Sequence, residues 1–248
     1  MLLALVSLAL ALDPTHAKLQ KVLDTHLVAG RVDYAGLKAA PATLDAYLAE
    51  VAAAPVASLS PADKKALYIN AYNAYTLDLV ADNFPLKSIM DLDGGKVWDT
   101  RKYNVGGTLL TLNDIEGKNL RNLGDPRIHA AVNCASLGCP PIAPKVFTGA
   151  GLDAQLDVAA KRWASTATLT TNSSGAGGTL TVNKIFDWYG DDFTATFGSA
   201  RYDIPGLAGK QEAAANFIAT FAPERAEMLR KGGYTVAYGE YSWAVNSR

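Results

Sequence analysis

The chain is short of the residues on which several function classes depend. Two cysteines in 248 residues cannot build the disulfide framework that staples a small secreted scaffold. The three histidines are His16, His26 and His129, and one histidine with two cysteines in a single segment lacks a fourth ligand at any zinc spacing. No metal and no other cofactor is therefore expected. Lysine and arginine are scattered, with no basic run longer than the pairs Lys64 with Lys65 and Lys161 with Arg162. With a net charge of −1 and a pI near 6.3, nucleic acid is not an expected partner. Beyond the N-terminal run, no apolar stretch approaches the roughly 20 residues of a transmembrane helix. There is no internal repeat and no long linker.

What is there suits one large domain with its own core: 49% of residues are hydrophobic and 19% charged. The opening MLLALVSLALALDPTH holds an uncharged apolar run from Leu2 to Leu12, the length of a signal-peptide h-region. Ala9, Leu10 and Ala11 offer a small-x-small cleavage pattern, although no basic n-region stands before the run. The reading is a signal-peptide remnant over 1–11, one domain over 12–248, and an exported protein, periplasmic or extracellular. The competing reading is an apolar N-terminal helix docked on the core.

In THAKLQKVLDTHLVAG, Leu19, Val22, Leu23, Leu27 and Val28 recur at helical spacing, with Gly30 placed to stop the helix. RVDYAGLK reads as a short extended piece around Val32, Asp33 and Tyr34. A second helix over 41–53 puts Leu44, Tyr47, Leu48 and Val51 on one face. The third helix has the clearest start, with Ser60 as N-cap, Pro61 at N1 and Asp63 at N3. It must stop before Pro85, and its stripe of Tyr68, Tyr72, Tyr75 and Leu79 reads as core packing. Residues 97–112 read as a hairpin turning at Gly106 and Gly107. Asn113 then caps a short helix, with Glu116 completing a capping box. Residues 127–133 read as a strand entering a loop, and 151–164 as an amphipathic helix with Leu152, Leu156, Val158 and Trp163. An exposed turn over 170–179 leads to a strand (180–185) and an aromatic-rich helix (186–198). Residues 210–231 are helical, interrupted at Pro223 and ending at Gly232 and Gly233. The last residues, from 234, alternate like a strand. The sum is a single α+β domain, N-terminal helices packed on an antiparallel sheet.

Chemistry concentrates in RIHAAVNCASLGCPPI, residues 127–142. On a regular strand His129 and Asn133 share a face and Cys134 falls on the other, so the chain must turn before a thiol can return to His129. A thiol nucleophile needs a base, and that base needs an orienting partner. His129 is the one histidine placed for the task, with Glu116, Asp114, Asn133, Asn70 and Asn73 as candidate orienters. Against this, cysteine is a common core residue, the capping box already accounts for Glu116, and Cys134 and Cys139 are spaced for a short disulfide. Asn70 and Asn73 are poor helix formers at i, i+3 on the third helix. They either brace neighbouring loops or line a site, one of them orienting an imidazole.

Seven stretches together resemble the DUF547 family: VDYAGL (32–37), YINAYNAYTL (68–77), FPLKSI (84–89), LNDIEGKNLR (112–121), RIHAAVNCASLGCPPI (127–142), IFDWYGDDF (185–193) and YSWAVN (241–246). The resemblance covers roughly residues 30 to 246. The chain departs from the family pattern at Tyr68, where Trp is usual, at Gly117, where His is frequent, and at Ser242, where Asp is typical. The family is named for lacking an assigned activity. Its members are often exported or lipoprotein-like in bacteria, and its Cys/His pattern resembles cysteine hydrolases of the papain and transglutaminase type. The resemblance implies two functions. In one, the protein is a thiol-dependent hydrolase or acyl-transferase on peptide or amide bonds of the cell envelope. Cys134 is then the nucleophile, His129 the base, Glu116 the orienter and Cys139 the rival nucleophile, and amides of the 134–138 loop form an oxyanion hole. Asn70, Asn73, Asn133 and Ser136 line the substrate. In the other, a non-catalytic exported binding domain uses a Cys134–Cys139 disulfide to shape the loop.

Overall fold

A computed structural model describes residues 12–173, 177–198 and 204–248; the leader expected over 1–11 lies outside the described residues. The first element, α1 (Ala17–His26), buries Leu19, Val22 and Leu23, as their spacing predicts. It does not run on to Gly30. Leu27 leaves in extended conformation, and a hairpin follows, β1 (Leu27–Val28) with β2 (Arg31–Val32). Ala29 and Gly30 form its turn at φ 49° and 80°, the pair of positive φ values a two-residue hairpin needs. Gly30 is thus a turn residue, not a helix stop. The Asp33 carboxylate accepts the Gly36 N–H at 3.0 Å and caps α2 (Tyr34–Ala39). Tyr34, expected to be extended, therefore opens a helix. Next, α3 (Ala42–Ala52) buries Leu44, Tyr47 and Val51.

The long helix α4 (Pro61–Asp82) starts as expected, the Ser60 hydroxyl accepting the Asp63 N–H at 3.1 Å. It is not amphipathic, since every residue from Ala66 to Leu77 is buried. A helix buried all round is a central helix, and α2, α3 and the loop bearing the cysteines pack around this one. Two short elements follow. The turn α5 (Val97–Thr100) replaces the start of the expected first strand. Then β3 (Tyr103–Val105) pairs with β4 (Thr108–Leu110) across Gly106 and Gly107, both at positive φ.

The second half contains α6 (Leu152–Ala164), β5 (Thr168–Thr171), β6 (Gly178–Val182), α7 (Ile185–Trp188), α8 (Gly190–Phe197), α9 (Gly209–Phe221), α10 (Pro223–Arg230) and β7 (Tyr234–Tyr238). Pro223 separates α9 from α10 as expected. On α6, Leu152, Leu156 and Trp163 are buried, but Val158 points outward at 65% exposure. The α+β reading holds. Within it, β5 and β6 are antiparallel, whereas β6 and β7 are parallel, Leu180 opposite Val236. A parallel pair needs a crossover, and α7 to α10 supply it. This half is held by rings: Trp163 stacks on Phe186 at 4.4 Å, and Phe193 meets Phe217 edge-on at 5.5 Å. No helix of the described residues is long and apolar enough to cross a membrane.

One carboxyl works against the fold. Burial pushes Asp78 on α4 up to about 6, and the charges of Asp82 and Asp45 add to the shift. A raised carboxyl destabilises the native state as pH climbs from its ordinary 3.8 through about 6, and the penalty persists above that. Asp78→Asn should therefore raise Tm at about pH 8 and leave it unchanged at about pH 4. Thermal melts showing equal shifts at both values would refute this account.

Candidate functional site

The segment expected as a strand is a 3-10 turn, Pro126–Ala130. Asp125 caps it by accepting the Arg127 N–H at 3.2 Å, and Pro126 fills the first helical position. The strand parity that separated His129 from Cys134 therefore does not apply. Arg127 fastens the turn to α6, bonding Asp125 at 3.0 Å, Asp153 at 2.7 Å and Asp157 at 2.6 Å. A shared, multidentate guanidinium of this kind fixes geometry better than an isolated pair.

His129 is 2% exposed, its ring packed against Tyr189 at 4.4 Å and Phe193 at 5.5 Å. Its Nε2 lies 2.8 Å from Asp192 Oδ2, and its Nδ1 lies 3.6 Å from Glu116 Oε1. Asp192, on α8, also takes two bonds from Arg121, at 2.6 and 3.0 Å. Burial pushes the Asp192 carboxyl up, but hydrogen bonds from His129 and Arg121 more than offset this and hold it well below the usual carboxylate range. Asp192 was not among the expected site residues. Its signal was the acidic pair Asp191 and Asp192 inside the aromatic stretch IFDWYGDDF.

Glu116 is not a capping residue. The reciprocal box forms two residues earlier: the Thr111 hydroxyl accepts the Asp114 N–H, and Asp114 accepts the Thr111 N–H, both at 3.0 Å. The segment Asp114–Leu120 that follows winds as a π-helix, a form that recurs at functional sites. Freed from capping, Glu116 is 7% exposed and lies beside His129; burial pushes the Tyr189 phenol up, and the Glu116 charge adds to the shift. The Asn113 amide donates instead to Asp99 at 2.6 Å.

Cys134 and Cys139 are joined as a disulfide, and no free cysteine remains. Between them, Ala135 sits at φ 61°, a left-handed conformation that costs an alanine roughly 1–2 kcal/mol. Asn133 supports it by accepting the Ala135 N–H at 2.8 Å. Leu137 and Gly138 donate to Ala244 and Ser242 of the C-terminal segment, both at 2.8 Å, and Cys139 donates to Ser136. Of the amides expected to form an oxyanion hole, those of Leu137 and Gly138 are thus engaged by the C-terminal segment. A side-chain donor also stands at the sulfurs: the Tyr241 hydroxyl lies 3.0 Å from Cys134 Sγ, 3.1 Å from Cys139 Sγ and 2.8 Å from Ser136 Oγ. Burial, together with the Glu116 charge, pushes this phenol up to about 12, against a lowering bond from Ser136, so it remains a proton donor. Gly138 lets the tyrosine sit there, because a Cβ would meet its ring at 2.7 Å.

The expected substrate-lining asparagines are braces. Asn70 donates to Phe147 O at 2.7 Å and accepts Phe147 N–H at 3.0 Å. Asn73 donates to Ala131 O and accepts Asn133 N–H. Asn133 donates to Pro140 O and also accepts from Asn246. Ser136 is buried beneath the sulfurs. The cleft itself, about 200 Å³, is lined by Glu116, His129 and both cysteines, with Trp98, Trp188, Tyr241 and Trp243 as its aromatic wall. Among the described residues no group of three or more His, Cys, Asp and Glu is arranged to hold a metal ion.

Fold and site together define a class: an α+β chain in which a buried imidazole, flanked by two carboxylates, shares a cleft with a cysteine pair. The family model described as "Protein of unknown function, DUF547" matches residues 56–163, a span that contains four of the motifs quoted above in full. The span holds α4, the π-helix and the cysteine loop; Asp192 and Tyr241 lie beyond it. No curated protein and no solved structure matches the chain.

Asn133→Ala should leave Ala135 N–H, Pro140 O and the Asn246 amide short of a partner and destabilise the protein by about 2–5 kcal/mol. Urea unfolding measures this directly. A loss no larger than that of Ser136→Ala would show that the asparagine is not the brace of the loop.

Proposed function

We propose that the cleft performs acyl transfer at a peptide or amide bond, with Cys134 as nucleophile, His129 as base and Asp192 as the carboxylate that orients the imidazole. The observation that carries this reading is the His129 ring itself. It is buried, tied at Nε2 to Asp192 at 2.8 Å, and turned at Nδ1 toward Glu116 in the cleft that Cys134 also lines. A cysteine nucleophile needs a base whose far nitrogen is fixed in this way. In this reading Asp192 takes the role first assigned to Glu116, Glu116 steadies the imidazolium, and the Tyr241 hydroxyl replaces the loop amides as oxyanion donor.

The disulfide is the resting form in this reading. An external dithiol reduces it and leaves as its own disulfide. Cys134 then passes its proton to His129, and the thiolate attacks the carbonyl carbon. His129 returns the proton to the departing amine, and the acyl group stays on sulfur as a thioester. Water or a second amine displaces it, giving its proton to His129, and the thiol is restored. In this reading the apolar run Leu2–Leu12 supports export, with peptide material of the cell envelope as the substrate.

The disulfide also favours a second reading, a non-catalytic exported binding domain in which the bond is permanent. Purified protein, reduced and oxidised, should be assayed on amide substrates and alkylated with iodoacetamide across pH. The acyl-transfer reading expects turnover by the reduced form alone, loss of it in Cys134→Ser, and a fall of about 10²- to 10⁴-fold in His129→Ala. It also expects Cys134 to alkylate well below the pH at which an ordinary thiol with pKa of about 8.5 reacts. Alkylation no faster than free cysteine, unchanged in His129→Ala and without turnover, would leave the binding domain standing.

A further inference from the structure

We propose that the cleft recognises a ligand bearing a free primary amine on an alkyl chain, a lysine-like group, seated against the aromatic wall with Glu116 as its counter-charge. The inference names the ligand class of the site proposed above and rests on that site, but not on its chemistry.

The wall is one continuous aromatic surface. Trp98 meets Trp243 at 5.8 Å, Tyr241 meets Trp243 at 4.7 Å, and Trp188 meets Tyr241 at 4.8 Å. Trp188 is 45% exposed, although a tryptophan of that size ordinarily finds cover. A cation over such rings is attracted to their negative faces, most strongly to tryptophan.

The polar groups of the cleft select the cation. Glu116 is 93% buried by its 7% exposure, yet no lysine or arginine among the described residues lies within 4 Å of it. Its neighbours are the Tyr189 hydroxyl and His129 Nδ1. Asp99, also on the cleft, takes the Asn113 amide and no cation. Arg121 feels the Glu116 charge, but its hydrogen bonds go to Asp192 and it is not part of the lining. A buried carboxylate whose one close basic neighbour is an imidazole at 3.6 Å gains from a full cation brought within hydrogen-bond reach. The lining is thus rich in acceptors, and its amide donor is already used. A sugar presents both donors and acceptors, whereas an ammonium presents three donors and no acceptor. The site fits the ammonium.

Three of the four tryptophans line the cleft, so intrinsic fluorescence reports occupancy. The oxidised protein should be titrated with Nα-acetyl-lysine methylamide and with its neutral isostere, Nα-acetyl-norleucine methylamide. The lysine compound should bind saturably and on the order of tenfold more tightly than the isostere. Added salt should weaken it, and Glu116→Gln and Trp243→Ala should each cost a comparable factor. Asp99→Asn, exposed and therefore safe for folding, should weaken it in the same direction. Equal affinity for both compounds, an unchanged Glu116→Gln or a preference for a neutral oligosaccharide would overturn the proposal. Amine binding without amide turnover would sink the acyl-transfer reading alone. Turnover indifferent to the amine would sink this one alone.

Discussion

The cysteine loop has no sheet to satisfy its backbone, and side-chain amides do the work instead. A buried N–H or C=O left unpaired costs about as much as a lost hydrogen bond. Asn73 reaches out from α4 to Ala131 O and Asn133 N–H, Asn133 holds Ala135 and Pro140, and Asn246 bonds Asn133 while accepting from the Tyr34 hydroxyl at 2.8 Å. One chain of polar contacts therefore joins the central helix, the loop, the C-terminal segment and α2. Everything in the cleft depends on it, because Cys134, Tyr241 and the segment bearing His129 are positioned from its two sides. The same chain explains why Asn73 sits in a buried helix where leucine would be the ordinary choice, and Asn70 holds Phe147 in the same way.

Legibility followed the range of the interaction. The Ser60–Pro61–Asp63 start of α4 and the Gly106–Gly107 hairpin are local chemistry, and both were readable. The strand expected over 127–133 gives way to a local signal, since Asp125 followed by Pro126 starts a helical turn. The capping box failed by two residues because Thr111 and Asp114 compete with Asn113 and Glu116 for the same role. That small shift changes the site, since it releases Glu116 from the backbone and turns it inward. Asp192 and Tyr241 were the least readable. They stand 63 and 112 residues from His129 and only topology brings them to it, Asp192 by direct bond and Tyr241 through the cysteine loop. No spacing rule reaches that far.

His129 shows how the two carboxylates divide their labour. Asp192 is paired with Arg121 and sits at hydrogen-bond distance from Nε2, so it sets the ring's orientation and its charge is already answered. Glu116 has no such cation and stands farther away, facing the cleft. One carboxylate is structural in its electrostatics, and the other is available to whatever enters. An imidazole with one nitrogen fixed and the other open has a defined tautomer in a defined place, the property on which acid–base work depends.

The disulfide does not by itself decide between a catalytic and a binding role, because contacts other than sulfur also hold the loop. Leu137, Gly138 and Asn246 bond main chain to main chain across to the C-terminal segment, and Ala135 is held by Asn133. None of these contacts involves sulfur. Opening the bond would leave two thiols beneath the Tyr241 hydroxyl in an otherwise braced loop, and the Cys134 N–H at 3.2 Å from Cys139 Sγ would remain a donor to it. These sulfur-independent braces are what the acyl-transfer reading needs to keep the cleft in place when the bond is opened. In that reading the external reductant, not the fold, sets when the thiol chemistry can run.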